Sequence, residues 1–180
     1  GARLSLNQDG SVQLQVGATE IGQGADTVFS QMAAETLHMD ISRVHIVTQQ
    51  DTDVTPFDTG AYASRQSFVT GTAVKECAQQ LKQKILEYAR TLVPGNVDRL
   101  ELEDGYILAD GKPAISLEDL AMESYYSLSN SSVLTAEVSR QVKKNTVASG
   151  CCFAEVEVDM KLGKIKVLDI VNVHDSGTLL

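Results

Sequence analysis

No basic run, no apolar stretch of membrane-spanning length and no CxxC pair occurs in this 180-residue sequence. Each absence removes a class of function. Phosphate backbones are neutralised by clustered Lys and Arg. Here the formal net charge is −9 and the basic residues are scattered, which argues against nucleic acid as the main partner. A spanning helix needs about 20 apolar residues in a row, and the longest runs fall far short. The opening residues lack the basic and apolar regions of a secretory leader. Three cysteines without CxxC spacing are too few for a zinc site or an iron–sulfur cluster. Cys151 and Cys152 are neighbours whose side chains leave a strand on opposite faces, so they are not read as a disulfide. Cys77 falls in a helical pattern and is read as core. Reduced cysteines fit a cytoplasmic setting.

What is present is an ordinary globular chain, 43% hydrophobic and 22% charged, with room for one domain or two small ones sharing a core. Residues 3–7 and 12–16 read as a hairpin turning at Asp9-Gly10. From Ala25, apolar positions through Leu37 recur at helical steps, and "VHIVTQ" (44–49) alternates as a strand. Residues 50–67 have no period and are long for a connection, which points to function or disorder. A long helix follows from Val74 to Leu92, stopped by Pro94-Gly95. A second hairpin turns at Asp104-Gly105, and Ser116 with Asp119 forms a capping box for a helix reaching about Tyr126. Three more strands follow, and from Glu155 onwards the middle one alternates as in a sheet with one wet face. Strands and helices are grouped, so the fold class is α+β, with strands in hairpins packed against two longer helices. The "SLSNSS" loop divides a first subdomain, 1–130, from a β-rich segment, 131–180. Both ends read as cut from a longer polypeptide, and Leu179 and Leu180, expected to be exposed, leave homo-oligomerisation open.

The stretch "VGATEIGQGADTVFSQMAAETL" (16–37) is a glycine-rich loop feeding a helix, a common anion site. A triphosphate loop requires G-x-x-x-x-G-K-[ST]. Gly17 and Gly22 have that spacing, but Gln23-Gly24 stand where Lys and the hydroxyl should be. The dinucleotide fingerprint begins with Gly22-Gln23-Gly24 and fails at Thr27, and the preceding strand, being part of a hairpin, is not expected to open a βαβ unit. What remains is a backbone cradle in which Gly22 and Gly24 permit close approach and Gln23 can donate and accept. A fused, heteroatom-rich ring suits that better than a bare phosphate. A tight turn with no ligand is the plainer alternative. A second loop of small and hydroxyl residues, "FDTGAYASRQSFVTG" (57–71), also empties into a helix, and two such loops can converge on one polar ligand.

Together, "GATEIGQGADTVFSQMAAETL", "DTGAYASRQSFVTGTAV" and the closing "CCFAEVEVDMKLGKIKVLDIVNVHDSGTLL" resemble the molybdenum-cofactor-binding subunit of the xanthine dehydrogenase and aldehyde oxidase family. The resemblance implies a molybdenum hydroxylase. Such enzymes insert a water-derived oxygen at an electron-poor C–H of a purine, heteroaromatic or aldehyde, and pass electrons through iron–sulfur clusters to a flavin. Small-molecule substrate and iron–sulfur and flavin partners are therefore expected. By position, Gly22, Gln23 and Gly24 would touch the pterin of a molybdopterin-type cofactor, Gln23 through its side chain. Ala63 and Ser64 would lie beside the metal–dithiolene end, largely through backbone, and Arg65, Gln66 and Ser67 would continue the cradle. No metal ligand comes from the chain, and no catalytic residue is assigned in it. The family's catalytic glutamate, from a Gly-Glu-Pro-Pro-like stretch, is expected beyond Leu180. The upstream Gly-Gln-Glu-like loop and the substrate-positioning Arg are absent too. Glu20 belongs to the "GATE" turn and is assigned a structural role. Alone, these residues are expected to be inactive and to lose the cofactor.

Other candidates are weaker. Asp51, Asp53 and Asp58 lack the spacing of a calcium loop and read as a solvated segment. His38, His45 and His174 show no paired ligand spacing, and His174-Asp175 reads as a turn in which Asp175 accepts backbone N–H groups. Two further functional readings stand beside the hydroxylase: a non-catalytic anion- or nucleotide-binding module, and an α+β domain without a ligand.

Overall fold

The structure, a computed structural model, describes residues 1–144 and 146–178. These fall into two compact units, Gly1–Lys144 and Asn145–Leu180. The expectation attached to Leu179 and Leu180 lies outside the described residues.

The first unit is built on a four-stranded sheet in the order β3-β2-β1-β7. Strands β1 (Ala2–Leu6) and β2 (Val12–Val16) form the Asp9-Gly10 hairpin. Asp9 accepts from both the N–H and the hydroxyl of Ser11, which fixes the turn. Alternate residues of these strands, among them Leu4, Leu6, Val12 and Leu14, are fully buried on one face. The other face carries cross-strand polar pairs between the antiparallel strands, Arg3 with Glu137 and Ser5 with Thr135, as in a sheet with one face turned to solvent. Strand β7 (Thr135–Val138) pairs with β1, so it belongs to this unit.

Helices α1 (Ala25–Leu37) and α2 (Gly71–Leu92) pack together on the buried face. Phe29, Ala33 and Leu37 of α1 and Val74, Cys77, Ala78, Leu81 and Ile85 of α2 fill the core. Cys77 donates to the Ala136 carbonyl, and burial pushes its thiol up to about 11. Strand β3 (Val44–Ile46), shorter than its sequence pattern, pairs parallel with β2. Thus β2-α1-β3 is a βαβ unit, contrary to the expectation from sequence. The hairpin occupies only one edge of β2 and leaves the other free for the returning strand.

A three-stranded meander follows, β4 (Leu100–Glu103), β5 (Tyr106–Ala109) and β6 (Lys112–Ser116). Its third strand escapes the sequence reading because Pro113 lies within it. Helix α3 (Leu117–Tyr126) is capped by Ser116, whose oxygen accepts from the Asp119 N–H at 3.0 Å.

The second unit is a ribbon of β8 (Ser149–Asp159) and β9 (Lys164–Asp175). Its register sets Ala154, Val156 and Val158 against Ile170, Val167 and Ile165 on one face, and Glu157 and Asp159 against Lys166 and Lys164 on the other. Leu168 is taken up in a bulge. The alternation is as expected, but the apolar face is as exposed as the polar one, since two strands alone provide no second layer. Asp175 accepts from the Gly177 N–H, the turn read from the sequence.

Candidate functional site

The first loop leaves β2 at Val16 and reaches α1 at Ala25. A Cβ on Gly17 would lie 2.0 Å from the Pro56 carbonyl oxygen and 2.8 Å from the Asp58 nitrogen, so only glycine lets residues 56–58 cross there. Gln50 clasps the loop from outside, donating to the Val16 and Ala18 carbonyls and accepting from the Thr19 hydroxyl. Gly22 and Gly24 have φ of 97° and 84°, the left-handed region that glycine adopts without steric cost. A Cβ on either would meet nothing within 4 Å.

The anion at the N-terminus of α1 is the chain's own. Glu20 Oε1 accepts from the N–H groups of Gly22 (2.6 Å) and Gly24 (3.1 Å), and Oε2 from that of Asp26 (3.1 Å). A carboxylate there also faces the positive end of the helix dipole. The Asp26 and Gly24 bonds, followed by that of Gly22 and the nearby Ala25 N–H, hold the Glu20 carboxyl below its usual range.

Gln23 sits at the crown of the loop with its amide turned largely inward. Its Oε1 accepts from the Ile21 N–H at 2.7 Å, and its Nε2 donates to the Thr19 carbonyl at 3.0 Å. Those two backbone partners fix which end of the amide is oxygen. Nε2 also donates to Gln66 Oε1, 43 residues away. Gln66 is buried and donates in turn to the Thr19 carbonyl at 3.1 Å. One lone pair of Gln23 Oε1 is left for a ligand.

The second loop is knotted around Asp58. Its side chain, 2% exposed, accepts from Arg65 Nη1 at 2.6 Å, the Gly60 N–H at 2.9 Å and the Thr70 hydroxyl at 2.8 Å. Arg65 also donates to the Gly60 carbonyl, and its guanidinium lies 5.5 Å from the centre of the Tyr62 ring. Ala63 and Ser64 have φ of 52° and 54°, uncommon for residues bearing a Cβ. A π-helical turn, Gln66–Thr70, then runs directly into α2.

Gln23 and residues 63–67 meet around one open cleft of about 330 Å³, walled also by Ile21, Ala61 and Tyr62. Gly22 and Gly24 flank Gln23 in sequence and do not line it. The hydroxyls of Ser64 and Ser67 are exposed there without a partner in the described chain. Sequence reasoning missed Asp58, taken as solvated, and the bracing by Gln50. For Asp58 a signal exists in the Arg seven residues on, but no local period marks the pair. Among the described residues, no group of three His, Cys, Asp or Glu side chains is placed to hold a metal ion.

Residues 1–180 match the description "Molybdopterin cofactor-binding domain". The chain belongs to that family. It is 48% identical, over its whole length, to the xanthine dehydrogenase molybdenum-binding subunit of Escherichia coli O157:H7, covering 24% of that protein. The chain thus spans about a quarter of the length of the curated relatives it matches. Among solved structures, quinoline 2-oxidoreductase from Pseudomonas putida 86 shares the fold, with a TM-score of 0.79 and 24% identity over 99% of this chain and 23% of its own. Reconstituted CO dehydrogenase from Oligotropha carboxidovorans matches at a TM-score of 0.79 and 25% identity, over 98% of this chain and 22% of its own.

The residues present fit the family's cofactor in their chemistry. The cleft is lined by Ser64, Ser67 and the amides of Gln23 and Gln66 beside the apolar surfaces of Ile21 and Tyr62. Its one cation, Arg65, is paired with Asp58. Such a donor set suits the edge of an uncharged ring system, and the anion place at α1 is already filled by Glu20. No helix among the described residues is long and apolar enough to cross a membrane.

Proposed function

We propose that this chain forms a wall of the molybdopterin site in the molybdenum-binding subunit of a xanthine-dehydrogenase-like hydroxylase. The observation that carries the reading is the bond between Gln23 and Gln66, which joins two polar loops 43 residues apart around one open cleft. When bound, the cofactor supplies insertion of a water-derived oxygen at a substrate C–H bond, a two-electron oxidation. The chain's own residues hold and orient it. The remaining lone pair of Gln23 and the hydroxyls of Ser64 and Ser67 would meet the pterin, the backbone of Ala63 and Ser64 would lie beside the dithiolene end, and Gln66 fixes Gln23. Gly22 and Gly24 keep the approach to the loop free of side chains. Arg65 lines the cleft with its guanidinium committed to Asp58 and the Gly60 carbonyl.

The 48% identity to a xanthine dehydrogenase subunit favours a purine as substrate. Iron–sulfur and flavin subunits or domains take the electrons, in the cytoplasm, where the free Cys151 and Cys152 stay reduced. The anion- or nucleotide-binding alternative is disfavoured by Glu20, which already consumes the N–H groups such a ligand would need.

The test is molybdenum content. In the full-length enzyme, Gln23→Ala leaves the buried Gln66 Oε1 without its donor, an unsatisfied-group penalty of roughly 1–3 kcal/mol, and molybdenum per protein is expected to fall. Unchanged content in a folded variant would sink the assignment. Residues 1–180 expressed alone are expected to carry no stoichiometric molybdenum in the same measurement.

A further inference from the structure

Asp58 is a nearly fully buried carboxylate that the cradle does not use. Its burial works against its charge, yet the Gly60 N–H, the Thr70 hydroxyl and the Arg65 guanidinium outweigh that and hold the carboxyl below its ordinary range. It is therefore charged at neutral pH. Its three donors lie on three different parts of the loop: Gly60 near the start, Arg65 at the entry to the helical turn, and Thr70, fully buried, at the foot of α2. Between Gly60 and Arg65 lie Ala63 and Ser64, both left-handed without being glycine. Backbone of that kind persists only where its surroundings over-determine it; the Arg65 N–H bonds the Tyr62 carbonyl across the step, and the Asp58 knot closes the segment at both ends. Arg65 is itself only 18% exposed and splits Nη1 between Asp58 and the Gly60 carbonyl.

We propose that Asp58 and Arg65 are positioning residues. Their ion pair holds the left-handed Ala63–Ser64 step in the shape the cofactor meets; Asp58 lies off the cleft and Arg65, although it lines the cleft, acts through Asp58 and not by contact with the cofactor. The inference rests on the cradle reading above and recasts Arg65, which the family resemblance places in the cradle itself.

The experiment uses the full-length enzyme with Asp58→Asn, Arg65→Met, the double variant, Arg65→Lys and the milder Thr70→Val, with Gln23→Ala as reference. Two quantities are read: molybdenum retained through purification, and amide hydrogen exchange of residues 58–67 in cofactor-free protein. Asp58→Asn and Arg65→Met are expected to lower retention several-fold, since outer partners of a bound metal group typically cost about 10- to 100-fold in affinity. The double variant should be no worse than either single one, as for two halves of one interaction. Exchange at 58–67 should quicken in the same variants. Arg65→Lys, which keeps a cation for Asp58 and Gly60, should restore both quantities, and Thr70→Val should shift both slightly in the same direction. Additive losses, or loss in Arg65→Lys equal to that in Arg65→Met, would mean that Arg65 touches the cofactor and would overturn the proposal. So would faster exchange with full molybdenum in Asp58→Asn while Gln23→Ala loses it, which would leave the pair merely structural. If Gln23→Ala and every other variant kept full molybdenum, the cradle reading itself would fall, and this inference with it.

Discussion

Glu20 shows how one side chain decides what a glycine loop is for. A loop of this composition ahead of a helix advertises an anion site, and the advertisement is accurate, but the anion is covalently attached. Three N–H groups converge on its carboxylate, from Gly22, Gly24 and Asp26. The consequence has a sign. Because the folded carboxyl is held below its ordinary value, its contribution is fully present above the unfolded value near 4.3 and is lost as pH falls through the folded one. In Glu20→Gln, exchange of the Gly22, Gly24 and Asp26 amides is expected to be faster than in the parent at pH 7. As the medium is acidified the parent should approach the variant. A difference that stayed constant between neutral and acid pH would show that the charge is not what caps the helix.

At the scale of elements, the readable parts are those with local causes. The periods of α1 and α2 are visible because one face of each is buried, and Ser116 announces α3 by the same bond it makes in the structure. Aspartate–glycine pairs mark the hairpin turns. The parallel pairing of β2 with β3 is not readable, since nothing in either strand encodes which edge the chain returns to. Nor is the crossing of the two cradle loops, which depends on a missing side chain at Gly17 and on amides far apart in sequence. The residue types of the cleft were legible from their resemblance to a family, whereas their partners were not: Asp58 has the look of a solvated acid. The crossing point gives a direct test. Gly17→Ala places a methyl group against the backbone at Pro56 and Asp58, where no side chain can yield. It is expected to cost about 1–3 kcal/mol as overpacking, read as a lower denaturant midpoint, and to loosen residues 50–65 before the sheet. A variant as stable as the parent would show that the crossing is not tight in solution.

At the scale of the whole molecule, the two units differ in how they could be stable. The first has two helices over a sheet and a continuous core. The second is a two-stranded ribbon, an arrangement at best marginal in water by itself. One of its faces presents Val156, Val158, Ile165, Val167 and Ile170, each 45% exposed or more. Contiguous apolar faces of this kind mark surfaces that are covered in the working protein. The relatives that match this chain from end to end are about four times as long, and in a protein of that length the polypeptide outside the matched quarter is available as a cover. Amide exchange of residues 149–175, measured in the 180-residue chain and in a full-length protein, separates the cases. Strong protection is expected in the full-length protein and little in the isolated chain, which should also bind a hydrophobic dye. Replacing Val167 and Ile170 by threonine should reduce dye binding by the isolated chain while weakening ribbon protection in the full-length protein. Equal protection in both contexts would mean that the ribbon stands without the rest of the polypeptide, and its apolar face would need another cause.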